Sequence, residues 1–175
     1  IRSGRRELHR RIGRTSYVLM PAVFISFVGL SHNVMQGKTG SEFAVLAYLF
    51  YIRVVLVTIF VGSYVMAMIN RHNPAVHARY MVCTGLALVD PVVSRLAFRA
   101  FARNEEINYQ LITFGLVCLI LTTVIWMERG ARFGRHVFPT MLAAFFVSGL
   151  PLALNFYTWG WPWEFWKAIA AGFAA

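Results

Sequence analysis

Five long apolar stretches, separated by short polar connections, dominate this chain of 175 residues. We place them at residues of about 17–35, 43–69, 78–98, 109–127 and 137–158. A helix needs ~20 apolar residues to cross a membrane. The stretches are continuously apolar rather than alternating, which favours helices over a membrane β-barrel. The pattern predicts an all-α polytopic membrane protein, with five transmembrane helices in a single transmembrane domain over residues 1–175.

Composition supports this prediction, because 58% of the residues are hydrophobic and only 14% are charged. About a quarter of a soluble domain is usually charged. The net charge of +10 could suit nucleic acid, but the charges cluster beside the apolar stretches. Lipid headgroups and membrane topology explain that position better. Membrane lipids are therefore predicted partners, and nucleic acid is not.

Both ends of the chain have the composition of interfacial segments. Residues 1–16 are rich in arginine and are typical of a short helix lying on headgroups. The C-terminal segment contains four of the five tryptophans, whose rings prefer the headgroup region. The predicted aromatic anchors are Trp159, Trp161, Trp163 and Trp166.

The distribution of positive charge predicts the orientation. Of the 17 lysines and arginines, eleven fall on the N-terminal side of the predicted bundle, four on the opposite side and two within spans. Cytoplasmic loops of membrane proteins carry the excess of positive residues. The chain is therefore predicted to lie in a bacterial inner membrane, with a cytoplasmic N-terminus and a C-terminus on the opposite side.

Two charged residues fall near the middle of predicted spans. Arg53 is about 15 Å from the start of the second span, and Asp90 about 18 Å from the start of the third. Each would cost roughly 3 kcal/mol if unpaired in lipid. Their similar depth predicts an ion pair that locks two helices together or, alternatively, takes part in binding a substrate or proton. A wider polar pocket could contain His32, Asn33, Arg53, Asp90 and Arg95.

The histidines raise the question of a redox cofactor. A haem b with two histidine ligands needs both imidazoles at one depth on facing helices. His77 and His136 open the third and fifth spans at similar levels and are the candidate haem ligands. A quinone bound by His32, Arg53 or Arg95 is the other cofactor hypothesis. Solvated interfacial histidines are the simpler interpretation, so no cofactor is favoured.

Recognisable catalytic motifs are absent from the sequence. It contains no HExxH, GxSxG or P-loop pattern and no glycine-rich dinucleotide turn. Cys83 and Cys118 form no zinc or disulfide pattern. We therefore assign no catalytic residue and no metal site, and an enzymatic role is not predicted.

The run Leu8-His-Arg-Arg-Ile-Gly-Arg14 leads into the first span, and His77-Ala-Arg-Tyr-Met81 leads into the third. Together with Arg95, these runs resemble an uncharacterised bacterial family of multi-span membrane proteins over about residues 8–98. The resemblance implies the architecture but no activity.

The leading functional prediction is a structural or accessory subunit that packs against other membrane proteins and lipids in a larger complex. The alternatives are a haem- or quinone-linked redox protein and a small transporter with a site at Asp90 and Arg53.

Overall fold

The computed structural model describes residues 3–100, 109–130 and 134–174, without the side chains of residues 3–6, 8–10 and 98. Within these ranges the regular structure is entirely helical, which confirms the all-α prediction. The helices are α1 (Ser3–Met35), α2 (Gly40–Ile69), α3 (Pro74–Ala100), α4 (Tyr109–Met127), α5 (Val137–Ala153), a 3-10 helix (Phe156–Thr158) and α6 (Trp161–Ala174).

Four of these helices, α1 to α4, are long and apolar enough to cross a membrane. Helix α5 is apolar but has only 17 residues, which corresponds to ~25 Å. It ends at Ala153 instead of continuing to residue 158, because Asn155 adopts a left-handed conformation with a φ of 52°. The chain then forms the 3-10 helix. The fifth span therefore stays a prediction.

The basic N-terminal segment does not form a separate helix. Helix α1 runs without a break for 33 residues and includes both this segment and the first apolar stretch. Pro21 consequently lies well inside α1. Residues 1–16 contain no proline that would interrupt the helix before Tyr17.

The chain forms two compact units, which we describe separately. The first consists of Ile1–Tyr51 and Glu164–Ala175. In this unit, helix α6 packs against residues of the first part of α2. The Trp166 ring stacks on Phe50 with centroids 5.6 Å apart, and Phe50 stacks on Phe173 at 4.7 Å. Trp166 also donates a hydrogen bond from Nε1 to the Ala47 carbonyl oxygen at 2.8 Å.

The second unit is Ile52–Trp163, and α3, α4 and α5 pack together within it. Its core contains fully buried Cys83, Val117 and Phe145. The Phe145 ring meets Phe114 edge-on at 5.7 Å. A Cβ atom at Gly149 would lie 3.2 Å from the Phe114 ring, so glycine allows α4 and α5 to approach closely here.

Candidate functional site: a buried carboxylate between α3 and α4

Asp90 is the most deeply buried charged residue of the part of the chain that the structure describes, with 1% of its surface exposed. It lies on α3, and both of its carboxylate oxygens accept hydrogen bonds from α4. Gln110 donates from Nε2 to Oδ2 at 2.6 Å. Thr113 donates from Oγ1 to Oδ1. Gln110 and Thr113 are three residues apart, so they share one face of α4.

The structure does not show the predicted ion pair between Arg53 and Asp90. Both residues are described, and none of the ion pairs between described residues includes either of them. Arg53 is half-buried on α2. Equal depth on two helices did not ensure that the two side chains face each other. Uncharged donors on α4 take the place that we assigned to the guanidinium.

The hydrogen bonds around Asp90 suit more than one protonation state. The Thr113 hydroxyl has one proton and two acceptors, Asp90 Oδ1 and the Gln110 carbonyl oxygen, which is 3.0 Å away. If the carboxylate is charged, this hydroxyl donates to Asp90. If the carboxyl group is neutral, it can donate to Thr113, which then donates to Gln110. A proton could therefore be gained without leaving a buried polar atom unpaired.

Pro91 follows Asp90, and α3 continues through it to Ala100. Proline has no N–H group, so the carbonyl of Ala87 lacks its usual helical donor. Ala87 is itself only 1% exposed. The sequence did not reveal Gln110 and Thr113 as the partners of Asp90. The signal was present, since these two polar residues lie in the first two turns of a predominantly apolar helix.

The other members of the predicted polar pocket lie in different surroundings. Arg95 is exposed. His32 belongs to the first unit, where its Nδ1 lies 2.9 Å from the Phe173 carbonyl oxygen. Asn33, in the same unit, is exposed. Of the five residues assigned to the pocket, only Asp90 is buried.

A second polar connection joins α3 to α4, and sequence reasoning missed it. The Arg79 Nε atom lies 2.7 Å from Glu128 Oε2, and Arg79 also donates to the Ala75 carbonyl oxygen at 3.0 Å. The Arg79 side chain is 13% exposed and that of Glu128 is 36% exposed. Matching the ends of neighbouring antiparallel helices would have suggested this pair.

The candidate haem ligands differ in their environments. His77 is half-buried, with Nδ1 2.8 Å from the Ala67 carbonyl oxygen. His136 is exposed and immediately precedes α5. The described residues contain no group of three or more histidine, cysteine, aspartate or glutamate side chains that could hold a metal ion. The haem and quinone hypotheses stay predictions.

The four C-terminal tryptophans divide into two kinds. Trp161 is 79% exposed and Trp159 is 39% exposed, which suits rings in contact with headgroups. Trp163 is buried against Phe156, with ring centroids 5.6 Å apart. Trp166 is engaged with Phe50 and Ala47, as described above. Trp159 also meets Phe156 edge-on at 5.3 Å and donates from Nε1 to the Leu154 carbonyl oxygen at 2.9 Å. Three of the four therefore pack within the protein, and an anchoring role stays a prediction.

Comparison with protein-family models, with curated proteins and with solved structures found no match to this chain. The resemblance over about residues 8–98 therefore stays a prediction.

Proposed function

We propose that the protein is a structural or accessory subunit that packs against other membrane proteins and lipids. A bacterial inner membrane with the N-terminus in the cytoplasm is part of this proposal. The observation that supports it is the surface of α1. Of the α1 side chains that are described, only Ser31 and Met35 are buried.

One exposed face of α1 has the composition of a helix-packing surface. It consists of the small or polar residues Ala22, Ser26, Gly29 and Asn33, all exposed. At 100° per residue these four positions lie within an arc of about 60°. Small residues let transmembrane helices approach closely, and polar side chains form hydrogen bonds between them. Lipid chains cannot form hydrogen bonds with the exposed Asn33 side chain, whereas a partner helix can. A partner helix therefore fits this face better than lipid.

A pair of matched glycine substitutions tests the proposal. Gly29→Leu would place a bulky side chain on the small face of α1, whereas Gly13→Leu would place one about 160° away. A Cβ atom at either glycine meets nothing within 4 Å, so the fold should accept both changes. After extraction with a mild detergent, we expect the wild type and Gly13→Leu to elute in a complex with other membrane proteins. Gly29→Leu should elute alone.

Two results would contradict the subunit proposal. One is a wild-type protein that elutes without stoichiometric partners under the mildest extraction that dissolves the membrane. The other is a complex that Gly29→Leu and Gly13→Leu disturb equally.

A second candidate function is proton-linked transport at Asp90, and one observation favours it. The carboxylate has no charged partner among the described residues, and its hydrogen bonds suit both protonation states. Infrared spectra of the wild type and of Asp90→Asn, recorded across a pH series, test this function. A carboxylic acid band that titrates in the wild type and is missing in Asp90→Asn would support it. If the protonation state of Asp90 stays the same across the pH series, proton-linked transport at this residue is excluded.

A further inference from the structure

Two clefts adjoin the end of α4 in the second unit, and both are lined by Ile125 and Arg129. The first has a volume of about 460 Å³ and is lined by Thr122, Thr123, Ile125, Trp126 and Arg129. The second has a volume of about 170 Å³ and is lined by Ile125, Glu128, Arg129, Arg135, Phe138 and Pro139. The shared residues make them one continuous surface from α4 to the beginning of α5.

The rim of these clefts has an excess of positive charge. Glu128 is the acidic residue among the lining side chains, and its ion pair with Arg79 neutralises it. Arg129 and Arg135 are exposed, and neither forms an ion pair with a described residue. The Arg129 guanidinium lies over the Trp126 ring, 5.7 Å from its centroid. Two guanidinium groups are therefore available to an anion.

The walls of the clefts are apolar in effect, although two threonines line them. The Thr122 and Thr123 hydroxyls donate to the Cys118 and Leu119 carbonyl oxygens, each at 2.8 Å. Their hydrogen-bonding capacity is largely used within α4, which leaves their methyl groups to contact a ligand. Ile125 and Phe138 extend this apolar lining.

We propose that these clefts bind one anionic phospholipid, with its phosphate between Arg129 and Arg135 and an acyl chain along Thr122, Thr123 and Ile125. The charges at the rim complement a phosphate, which arginine binds with directed hydrogen bonds. The apolar walls extend towards the membrane-spanning part of α4, where an acyl chain would continue. Trp126 is 62% exposed beside Arg129, and tryptophan favours the headgroup level. Basic pockets between transmembrane helices bind anionic headgroups in this way.

The test measures lipid retained by the full chain. The protein is purified in detergent with phosphatidylglycerol or phosphatidylcholine, and the bound lipid is counted by native mass spectrometry. We expect the wild type to retain one phosphatidylglycerol in preference to phosphatidylcholine. Arg129→Gln and Arg135→Gln should each weaken retention about fivefold, and the double variant about 30-fold. Arg71→Gln, an exposed arginine outside the clefts, should have no effect.

A second pair of variants distinguishes a lipid from a free phosphate. Thr123→Trp would fill the apolar cleft without changing charge. Thr58→Trp is its control, since Thr58 is also exposed and donates to a carbonyl oxygen of its own helix. Thr123→Trp should reduce phosphatidylglycerol retention, whereas Thr58→Trp should not. Millimolar inorganic phosphate should not displace the lipid.

Three results would overturn the lipid proposal. They are equal retention of phosphatidylcholine, no loss in the double arginine variant, and displacement by inorganic phosphate with no effect of Thr123→Trp. The last would indicate a simple anion site. Circular dichroism and the elution volume of each variant establish that it is folded before lipid is counted.

Discussion

At the scale of single residues, the important feature is a carboxylate held by two uncharged side chains. A charge in the apolar interior of a membrane costs roughly 3 kcal/mol when nothing compensates it. Hydrogen bonds from Gln110 and Thr113 compensate Asp90 without the long, flexible side chain of an arginine. These bonds also connect α3 to α4. Removing one of them therefore leaves Asp90 less stabilised and weakens the contact between the two helices.

Thr113→Val should lower the free energy of unfolding by about 2 kcal/mol, the usual contribution of a hydrogen bond to a charged group. Valine has nearly the shape of threonine, so packing is kept. Ser63→Ala is the matched control, because the Ser63 hydroxyl is also buried but has no hydrogen-bond partner among the described residues. It should be neutral or slightly stabilising. Thermal unfolding in detergent measures both, and equal losses would contradict the role of the Thr113 hydroxyl.

Double-mutant cycles separate the observed partner of Asp90 from the predicted one. Asp90→Leu combined with Gln110→Leu should show a coupling of about 1 kcal/mol, since the two side chains are in direct contact. Asp90→Leu combined with Arg53→Met should be additive within about 0.5 kcal/mol. The measured quantity is again the free energy of unfolding. A larger coupling with Arg53 than with Gln110 would restore the ion pair and contradict the structure.

At the scale of elements, the turn before α5 packs closely against the first turns of α3. Gly134 has a φ of +70°, in the left-handed region that favours glycine. A Cβ atom there would lie 3.0 Å from Arg79 Nη1 and 3.3 Å from Val76 Cγ2. Arg79 is also the partner of Glu128 at the end of α4. One arginine thus connects α3, the end of α4 and the turn that leads into α5.

Gly134→Ala should therefore destabilise the protein more than Gly160→Ala does. Both glycines have positive φ, at +70° and +68°, so each substitution costs about 1 kcal/mol in backbone strain. A Cβ atom at Gly160 meets nothing within 4 Å, whereas one at Gly134 meets Arg79. The difference in melting temperature between the two variants measures the contact alone. Equal melting temperatures would show that Arg79 moves aside without cost.

At the scale of the whole molecule, the number of crossings decides on which side each end of the chain lies. Helices α1 to α4 are each long and apolar enough to span a membrane, whereas α5 is shorter. Four crossings would leave the region after α4 on the N-terminal side. A fifth crossing by α5 would carry α6 and the exposed Trp161 to the opposite side. The sequence predicts five crossings, with α5 as the fifth.

Labelling of single introduced cysteines by a membrane-impermeant maleimide measures these positions. Lys38→Cys, in the turn after α1, and Ala171→Cys, near the end of α6, should react from the same side of sealed vesicles. Arg71→Cys and Gly130→Cys should react from the other side. Cys83 and Cys118 are buried and half-buried, so unmodified protein provides the background. If Ala171→Cys and Arg71→Cys react from the same side of the vesicles, the prediction of five crossings is contradicted.

Continuous apolarity alone predicted the helical class and the approximate extent of α2, α3 and α4. It does so because a backbone in lipid must satisfy its hydrogen bonds within the helix. The rise per residue placed Asp90 ~18 Å along its helix, but α3 begins at Pro74, so Asp90 lies ~24 Å from the start of α3. Composition identified the aromatic C-terminal segment, since tryptophans clustered at the end of an apolar chain are readily seen.

Only the tertiary structure decided which side chains meet. Depth is set by position along one helix, but contact also depends on the rotation of each helix and on which helices are neighbours. Asp90 therefore bonds to Gln110 and Thr113 and not to Arg53, although Arg53 had a matching depth. For the same reason Trp166 donates to the Ala47 carbonyl within the first unit, where its composition alone had suggested a headgroup anchor. Depth follows from counting residues, whereas the facing of two helices follows from packing their whole surfaces together.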